Sequence, residues 1–365
     1  MLDLFAYPVS AVMKLWHLLL HNVLGLSQDT AWVLALFGLV VTIRSFIAPL
    51  FWIQFKSGRI SMLMRPEHKA LEERDKHATT PEELAAVADA KKELKERYNH
   101  KPLAGCLTVF VQFPAFLGLY RVVLSMARPE EGFGADYHPP IGVLDHADIT
   151  SFLSSTFAGI PLAAYRRMPD SDLAALGTNT ADVTALTQVL LLLVILATTF
   201  NMALSTWRNR QSLDWDSRVG RGLFYFLVAM SIATPFMLAS AGWNGPVPIA
   251  VLLYWFANNL WTFGQTAVLH LLLNIRYPLS DEYRAHSAQR RAAFKDSVRE
   301  RRAHKWWVRR RRLASFKASN REALARDKAE RATAKREEKA AAAQRKKARA
   351  KAQAQLREQQ KNQME

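Results

Sequence analysis

Arg44 is the one charged residue in an otherwise apolar run of the sequence, residues 31–53. At about 1.5 Å per residue, a helix of this length spans the roughly 30 Å hydrocarbon core of a bilayer. Insertion scales put the cost of an arginine at the bilayer centre at about 2.5–3.5 kcal/mol. We therefore expect the guanidinium to face protein or a water-filled cavity, where its charge would attract carboxylates and other polar groups. The alternative is that the side chain extends to the nearer interface.

Uncharged polar side chains interrupt the later apolar runs. Such residues commonly join neighbouring helices by hydrogen bonds, and they can also line a polar path. Those of interest are Gln112, Gln188, Thr234, Trp255, Asn258, Asn259 and Gln265. The sequence leaves both interpretations open.

Covalent and metal chemistry find little support in the sequence. His17 and His21 are four residues apart, as two metal ligands on a helix could be, but no third ligand is evident. The single cysteine, Cys106, excludes an intrachain disulfide and a thiolate cluster. No phosphate-binding GxxxxGK[ST] loop is present. We therefore predict a protein that is not an enzyme and has no metal or cofactor.

A cluster of aromatic and cationic residues lies in the C-terminal part of the chain. Its members are Trp306, Trp307, Arg309, Arg310, Arg311 and Arg312. From residue 323 onward the sequence is mostly Ala, Arg, Lys, Glu and Gln, which favours an exposed helix. Such a segment binds phosphates with little sequence preference, so RNA and anionic lipid headgroups are both suitable targets.

The hydropathy pattern of the whole chain predicts an all-α polytopic membrane protein. Five apolar runs are long enough to span a bilayer: residues 31–53, 103–126, 184–206, 222–241 and 247–272. Residues 1–29 before them fit an amphipathic helix in the outer interface, anchored by Trp16. The five-span core thus covers residues 30–275, and a basic tail follows at 276–365.

The distribution of cations predicts the orientation. The loop 54–102, the loop 207–221 and the tail together hold 43 Lys and Arg residues, whereas residues 1–30 and 127–183 hold four. The tail alone has 28 cations and 11 acids, which accounts for the whole net charge of +17. Because cation-rich loops remain in the cytoplasm, we expect the N-terminus outside and the tail inside the cell.

The first cytoplasmic loop, residues 54–101, has the pattern of a helical hairpin. Thr80 and Glu83 match a capping box, with Pro81 in the first turn. Leu84, Val87 and Leu94 then lie on one helical face. We therefore expect two amphipathic helices joined near residues 77–80.

Several stretches in this order resemble the YidC-type membrane-protein insertases, which have mitochondrial and chloroplast relatives. They are YPVSAVMK, TIRSFIAPLF, MLMRPEHKALEER, KPLAGCLTVFVQFPAFLGLYRVV and LLYWFANNLWTFGQ, between Tyr7 and Leu272. The stretch LLYWFANNLWTFGQ is most similar to the actinobacterial branch of the family. Five spans without a separate outer domain also resemble that branch. Lys101 and Thr108 differ from the residues that are usual at these positions in the family. These differences bear on the local turn geometry.

The resemblance implies a hydrophilic groove enclosed by the five helices, open to the cytoplasm and to lipid, with Arg44 inside it. Matching family positions add Gln188 and Trp255, and we place Gln112 in the same groove. The implied function is to pass transmembrane segments of nascent proteins from the groove into the bilayer, alone or with the Sec translocon. The implied partners are nascent membrane proteins, the Sec translocon, anionic lipids and, through the basic tail, the ribosome.

Two other classes of function remain as alternatives. A small transporter would also have polar residues within its spans, although no internal repeat is evident in this sequence. A membrane-tethered ribosome- or RNA-binding protein would depend on the tail alone.

Overall fold

The structure is a computed structural model, and it describes residues 3–98, 117–118, 120–126, 129, 132–133, 135 and 137–362. The described part is almost entirely α-helical and divides into two compact units. The first unit comprises Met1–Gly58, Pro102–Leu213 and Val219–Tyr277, and the second comprises Arg59–Lys101, Asp214–Arg218 and Pro278–Glu365.

The elements follow one another along the chain in this order. They are α1 (Asp3–Leu18), a π-helical turn (Leu19–Val23), α2 (Gln28–Leu63), α3 (Arg65–His77), α4 (Pro81–Arg97), α5 (His146–Ser154), β1 (Thr156–Phe157), β2 (Ile160–Pro161), α6 (Asp170–Ala175), α7 (Thr180–Ser212), α8 (Arg218–Asn244), α9 (Ile249–Arg276), α10 (Asp281–Leu313) and α11 (Ala318–Asn362). Strands β1 and β2, of two residues each, pair antiparallel in a short hairpin. Residues 120–126 are also helical.

Three described helices, α2, α7 and α8, are long and apolar enough to cross a membrane. Helix α9 has 28 residues, about 42 Å at 1.5 Å per residue, and Trp, Asn and Gln side chains interrupt its apolar sequence. The predicted span 103–126 lies largely outside the described residues. The helical fold class is confirmed, while the number of five spans stays a prediction.

The core of the first unit begins with an apolar face of α2. Trp32, Leu36 and Leu39 are fully buried, and their spacing places them on one side of the helix. The ring of Phe152 on α5 packs edge-on against Trp32, with 5.4 Å between ring centroids. The segment after β2 then meets the first turn of α9, where the N–H of Ile249 donates to the Ala164 carbonyl at 3.0 Å. This bond satisfies one of the free N–H groups at that helix start.

Helix α1 is joined to α2 at a close contact. The indole of Trp16 lies over Gly38, where a Cβ atom would come within 2.4 Å of the ring. The indole N–H of Trp16 also donates to the Thr42 hydroxyl at 2.8 Å. Trp16 therefore packs within the protein, and its predicted role as an interfacial anchor stays a prediction.

Helix α1 buries both apolar and polar residues, and Val9 and Met13 belong to the core of the first unit. Ser10 is fully buried and its hydroxyl accepts the N–H of Val143, while Tyr7 and Leu15 on the same helix are exposed. The position of residues 1–29 in the outer interface stays a prediction. The exposed apolar side is the one available to lipid.

The second unit contains the predicted hairpin. The capping box is confirmed, because Thr80 accepts from the Glu83 N–H and the Glu83 carboxylate accepts from the Thr80 N–H. The first helix of the hairpin, α3, begins at Arg65 and not near the start of the predicted loop at residue 54. The reason is that α2 continues to Leu63, and Pro66 then lies in the first turn of α3. Ile60, Met64 and Leu94 form a small apolar cluster between the helices.

Candidate functional site

Arg44 lies between α2 and α9, where it is bound by an asparagine. Its Nε and Nη2 atoms donate to Oδ1 of Asn258 at 2.9 and 2.7 Å. The residue is 8% exposed, and its guanidinium carbon lies 5.8 Å from the ring centroid of Phe51. The two bonds use two of the five N–H donors of a guanidinium, and they fix its direction. The charge therefore has a set position within an apolar helix pair.

Asn258 is itself held by the helix that carries it. The hydroxyl of Thr262, one turn later, donates to the backbone carbonyl of Asn258 at 2.7 Å. The side-chain amide of Asn258 thus faces α2 while its carbonyl is engaged on α9. The Arg44–Asn258 contact joins residues 214 positions apart in the chain.

Asn259 faces a different neighbour, helix α7. The amide of Asn201 donates to both the backbone carbonyl and Oδ1 of Asn259, at 2.9 and 3.1 Å. Asn259 is 6% exposed, and its own amide donates to the Trp255 carbonyl. This is an interhelical hydrogen-bond pair. The sequence reading missed Asn201, whose only signal was one amide inside an apolar run.

The other predicted site residues lie away from Arg44 or form hydrogen bonds elsewhere. Gln188 is exposed on α7, and the half-buried Trp255 lies one turn before Asn258 on α9. The hydroxyl of Thr234 donates to the Met230 carbonyl within α8. Gln112 lies outside the described residues. The structure therefore brings together Arg44 and Asn258 among the predicted residues.

Gln265 belongs to a cleft of about 580 Å³ formed along α2 and α9. Its walls are apolar, with Phe37, Val41 and Ala48 on one helix and Leu260 on the other. Oε1 of Gln265 accepts from the Trp261 indole at 3.1 Å, and its buried Nε2 has no partner within the described ranges. An apolar cleft on the helix pair that holds Arg44 offers a surface for an apolar segment.

A charged cluster ties α1 to the segment that starts α5. Lys14 Nζ lies 2.8 Å from an Asp145 oxygen and 2.6 Å from an Asp148 oxygen. Hydrogen bonds to these two carboxylates raise the pKa of Lys14, and the bond from Lys14 lowers the pKa of Asp145. Because Asp145 and Asp148 also form the capping box of α5, this cluster fixes α1 against that helix.

His17 is buried beside the same segment. Its ring stacks on Trp32 with 4.1 Å between centroids, and Nε2 lies 3.2 Å from Oε1 of Gln28. Burial lowers the pKa of His17, with His21 adding to the effect, while Gln28 and Asp148 oppose it. The ring of His21 stacks 5.6 Å away. Across the described ranges, no group of three or more His, Cys, Asp or Glu side chains is placed to hold a metal ion.

The aromatic and cationic residues of the tail lie at the end of α10. Trp306 is 68% exposed, whereas Trp307 stacks with His304 and has the Arg311 guanidinium 4.0 Å from its ring centroid. His304 in turn contacts Asp327 on α11 at 3.0 Å. His304 thus joins the two tail helices, and Trp306 is exposed at the end of α10.

Comparisons with known proteins agree on one family. Residues 23–274 match the family described as 60Kd inner membrane protein. The "Membrane protein insertase YidC" of Corynebacterium efficiens is 42% identical over 348 residues, 92% of this chain and 88% of that one. The protein of the same name from Corynebacterium glutamicum is 40% identical, covering 86% and 74%. That of Mycobacterium tuberculosis is 28% identical, covering 80% and 78%.

Proposed function

This chain belongs to the 60Kd inner membrane protein family, the family of the YidC membrane protein insertases, and on that premise we propose that Arg44 receives the polar leading segment of each client. The protein is a membrane protein insertase of the cell membrane, and its substrates are nascent membrane proteins. What remains to be assigned is the site, its access and its further partners.

The observation that carries the proposal is the Arg44–Asn258 contact. Asn258 is uncharged, so it orients the guanidinium without cancelling its positive charge. A carboxylate at the same place would have formed an ion pair and neutralised the site. An oriented cation that pairs with no carboxylate among the described residues is suited to attract acidic or polar groups of an entering chain.

Water reaching the site from the cytoplasm reduces the cost of holding this charge. The five spans then enclose a groove closed toward the outside, and Gln112, Gln188 and Trp255 contribute to its lining. A client places its polar segment at Arg44, and its apolar segment moves along the cleft of α2 and α9 into lipid. Burial of apolar area, at about 25 cal/mol per Å², supplies the driving free energy, so no covalent step is needed.

The orientation follows from the charge distribution. The N-terminus lies outside and the tail lies in the cytoplasm, because 43 of the 49 Lys and Arg residues belong to the segments assigned to that side. The basic tail binds the translating ribosome, with the exposed Trp306 and Arg309, Arg310 and Arg312 in contact with phosphates and bases. Anionic lipids compete for the same cations, and the Sec translocon acts beside the insertase for some clients.

Labelling a cysteine at position 44 tests access to the groove. In a Cys106→Ser background, Arg44→Cys should react with a small hydrophilic maleimide added from the cytoplasmic side. Phe46→Cys is a matched control, because Phe46 is 79% exposed on the same helix and would face lipid. Ala88→Cys in the hairpin is the positive control, because its labelling shows that the maleimide is present on the cytoplasmic side. An inert position 44 beside a labelled position 88 would contradict the watered groove.

Removal of the tail tests the ribosome assignment separately. The detergent-solubilised full chain should co-sediment with ribosomes at low salt, and binding should fall steeply as salt rises. The chain lacking residues 276–365 should not co-sediment. Equal binding by both chains would assign the tail to the lipid surface instead.

A further inference from the structure

The C-terminal part of the tail packs on the turn of the hairpin within the second unit. Ala352 of α11 is 2% exposed, and it shares a buried cluster with Ala78 and Leu84. Leu356, one turn later, packs on the same cluster. Most of α11 before this point is exposed, so the contact is a local one at its far end.

An ion pair lies beside this apolar contact. Arg349 donates from Nη2 to Oδ1 of Asp75 at 2.6 Å and from Nη1 to the Asp75 carbonyl at 2.7 Å. Lys91 of α4 binds the second oxygen of the same carboxylate. Lys91 first, and Arg349 with it, lowers the pKa of Asp75. The fork of the guanidinium therefore fixes α11 at the C-terminal end of α3.

The residues that make the contact follow a helical period. Arg349, Ala352 and Leu356 are spaced three and four apart, which puts them on one face of α11. The turn before Arg349 and the turn that contains it carry further cations: Arg345, Lys346, Lys347 and Lys351. One short segment therefore presents a docking face to the hairpin and a dense positive charge beside it.

We propose that residues 345–356 are a latch that covers the hairpin turn and that polyanion binding to the tail opens. The proposal rests on the assigned role of the tail as a ribosome-binding arm. Arg349 cannot hold both the Asp75 carboxylate and a phosphate with the same two donors, so the two partners compete. With the latch open, Ala78 and Leu84 become exposed and the hairpin turn presents an apolar surface.

The energetics of the contact suit a switch. The Arg349 and Asp75 side chains are 34% and 23% exposed, so their pairing is screened by salt and exchanges with other anions. The apolar part is small, because it consists of two alanines and two leucines. A ribosome that holds several cations of α11 at once therefore has enough binding free energy to displace the latch. The consequence is that polyanion binding to the tail, as by a translating ribosome, uncovers the hairpin turn.

Crosslinking of the full-length protein tests the latch directly. In the Cys106→Ser background, Ala78→Cys with Ala352→Cys should be joined efficiently by a short bifunctional maleimide. Ala78→Cys with Ala341→Cys is the matched control, because residue 341 lies three turns earlier on α11. Addition of ribosomes, or of poly(U) as a simple polyanion, should reduce the 78–352 product at least fivefold.

Two charge variants separate the latch from general electrostatics. Arg349→Gln should weaken the 78–352 crosslink before any polyanion is added. Arg345→Gln, which removes the same charge one turn away, should leave it intact. Absence of the crosslink in the unliganded wild-type protein, or a crosslink that persists while ribosomes co-sediment with the protein, would overturn the latch. Failure of ribosomes to co-sediment would instead overturn the assigned role of the tail, and poly(U) then still tests the competition.

Discussion

At the scale of single residues, the property of Arg44 that matters is that its partner is neutral. Asn258 accepts two hydrogen bonds from the guanidinium and, being uncharged, does not neutralise it. We predict that Asn258→Asp, by placing a carboxylate against the guanidinium, slows the insertion of clients with acidic leading segments about tenfold or more, the effect of roughly 1.4 kcal/mol. The fold should remain intact, because the new pair is well matched in geometry.

The control for this variant is Asn258→Ala. It removes the partner without adding charge, so clients with acidic segments should still insert better than their neutral counterparts. Insertion of matched acidic and neutral clients into proteoliposomes measures both variants. If the Asn258→Asp variant inserts acidic clients as fast as the wild type does, the charge of Arg44 is not used.

His17 supplies a second prediction at this scale. Its pKa is lowered in the folded protein by burial, so protonation disfavours the fold. The unfolded chain takes up the proton first, and stability should fall as the pH drops below the ordinary histidine value of 6.5. We expect His17→Gln to reduce this slope between pH 7 and pH 5 in thermal unfolding of the solubilised protein. An unchanged slope would show that His17 does not contribute.

At the scale of elements, the contact of α1 with α2 depends on one glycine. A methyl group at position 38 would overlap the body of the Trp16 indole, which has no free end to move aside. We predict that Gly38→Ala lowers stability by about 1–3 kcal/mol, the usual cost of overpacking. The measurement is the unfolding midpoint of the solubilised protein.

Gly264→Ala is the matched control for that substitution. Position 264 is also a helical glycine, but an added Cβ there meets no atom within 4 Å. Because alanine has the higher helix propensity, stability should be unchanged or rise by up to about 1 kcal/mol. Equal loss in both variants would mean that the effect comes from glycine replacement in general.

Local signals explain which elements the sequence predicted. The capping box at Thr80 was predicted and found, because both of its bonds lie within four residues. The pairing of Arg44 with Asn258 was not predictable, since helical spacing gives the face of a residue and not its partner 214 positions away. The docking of Ala352 was missed because an alanine in a charged, Ala-rich helix carries no signal of burial.

At the scale of the whole molecule, each unit has its own feature: an oriented charge at Arg44 in the first, and a tail that contacts the hairpin in the second. The family and its function rest on similarity along most of the chain. The central claim is physical: a fixed positive charge at position 44 helps clients with acidic leading segments to enter the bilayer.

Insertion by purified protein in proteoliposomes tests that claim most directly. Wild type, Arg44→Lys and Arg44→Ala would each be given one client with acidic leading residues and the same client with those residues changed to amides. We expect the lysine variant to retain most of the preference for the acidic client, since attraction requires charge more than a bidentate fork. The alanine variant should lose that preference while still inserting the amide client. Equal preference for the acidic client in wild type and the alanine variant would show that the charge at position 44 does not assist these clients.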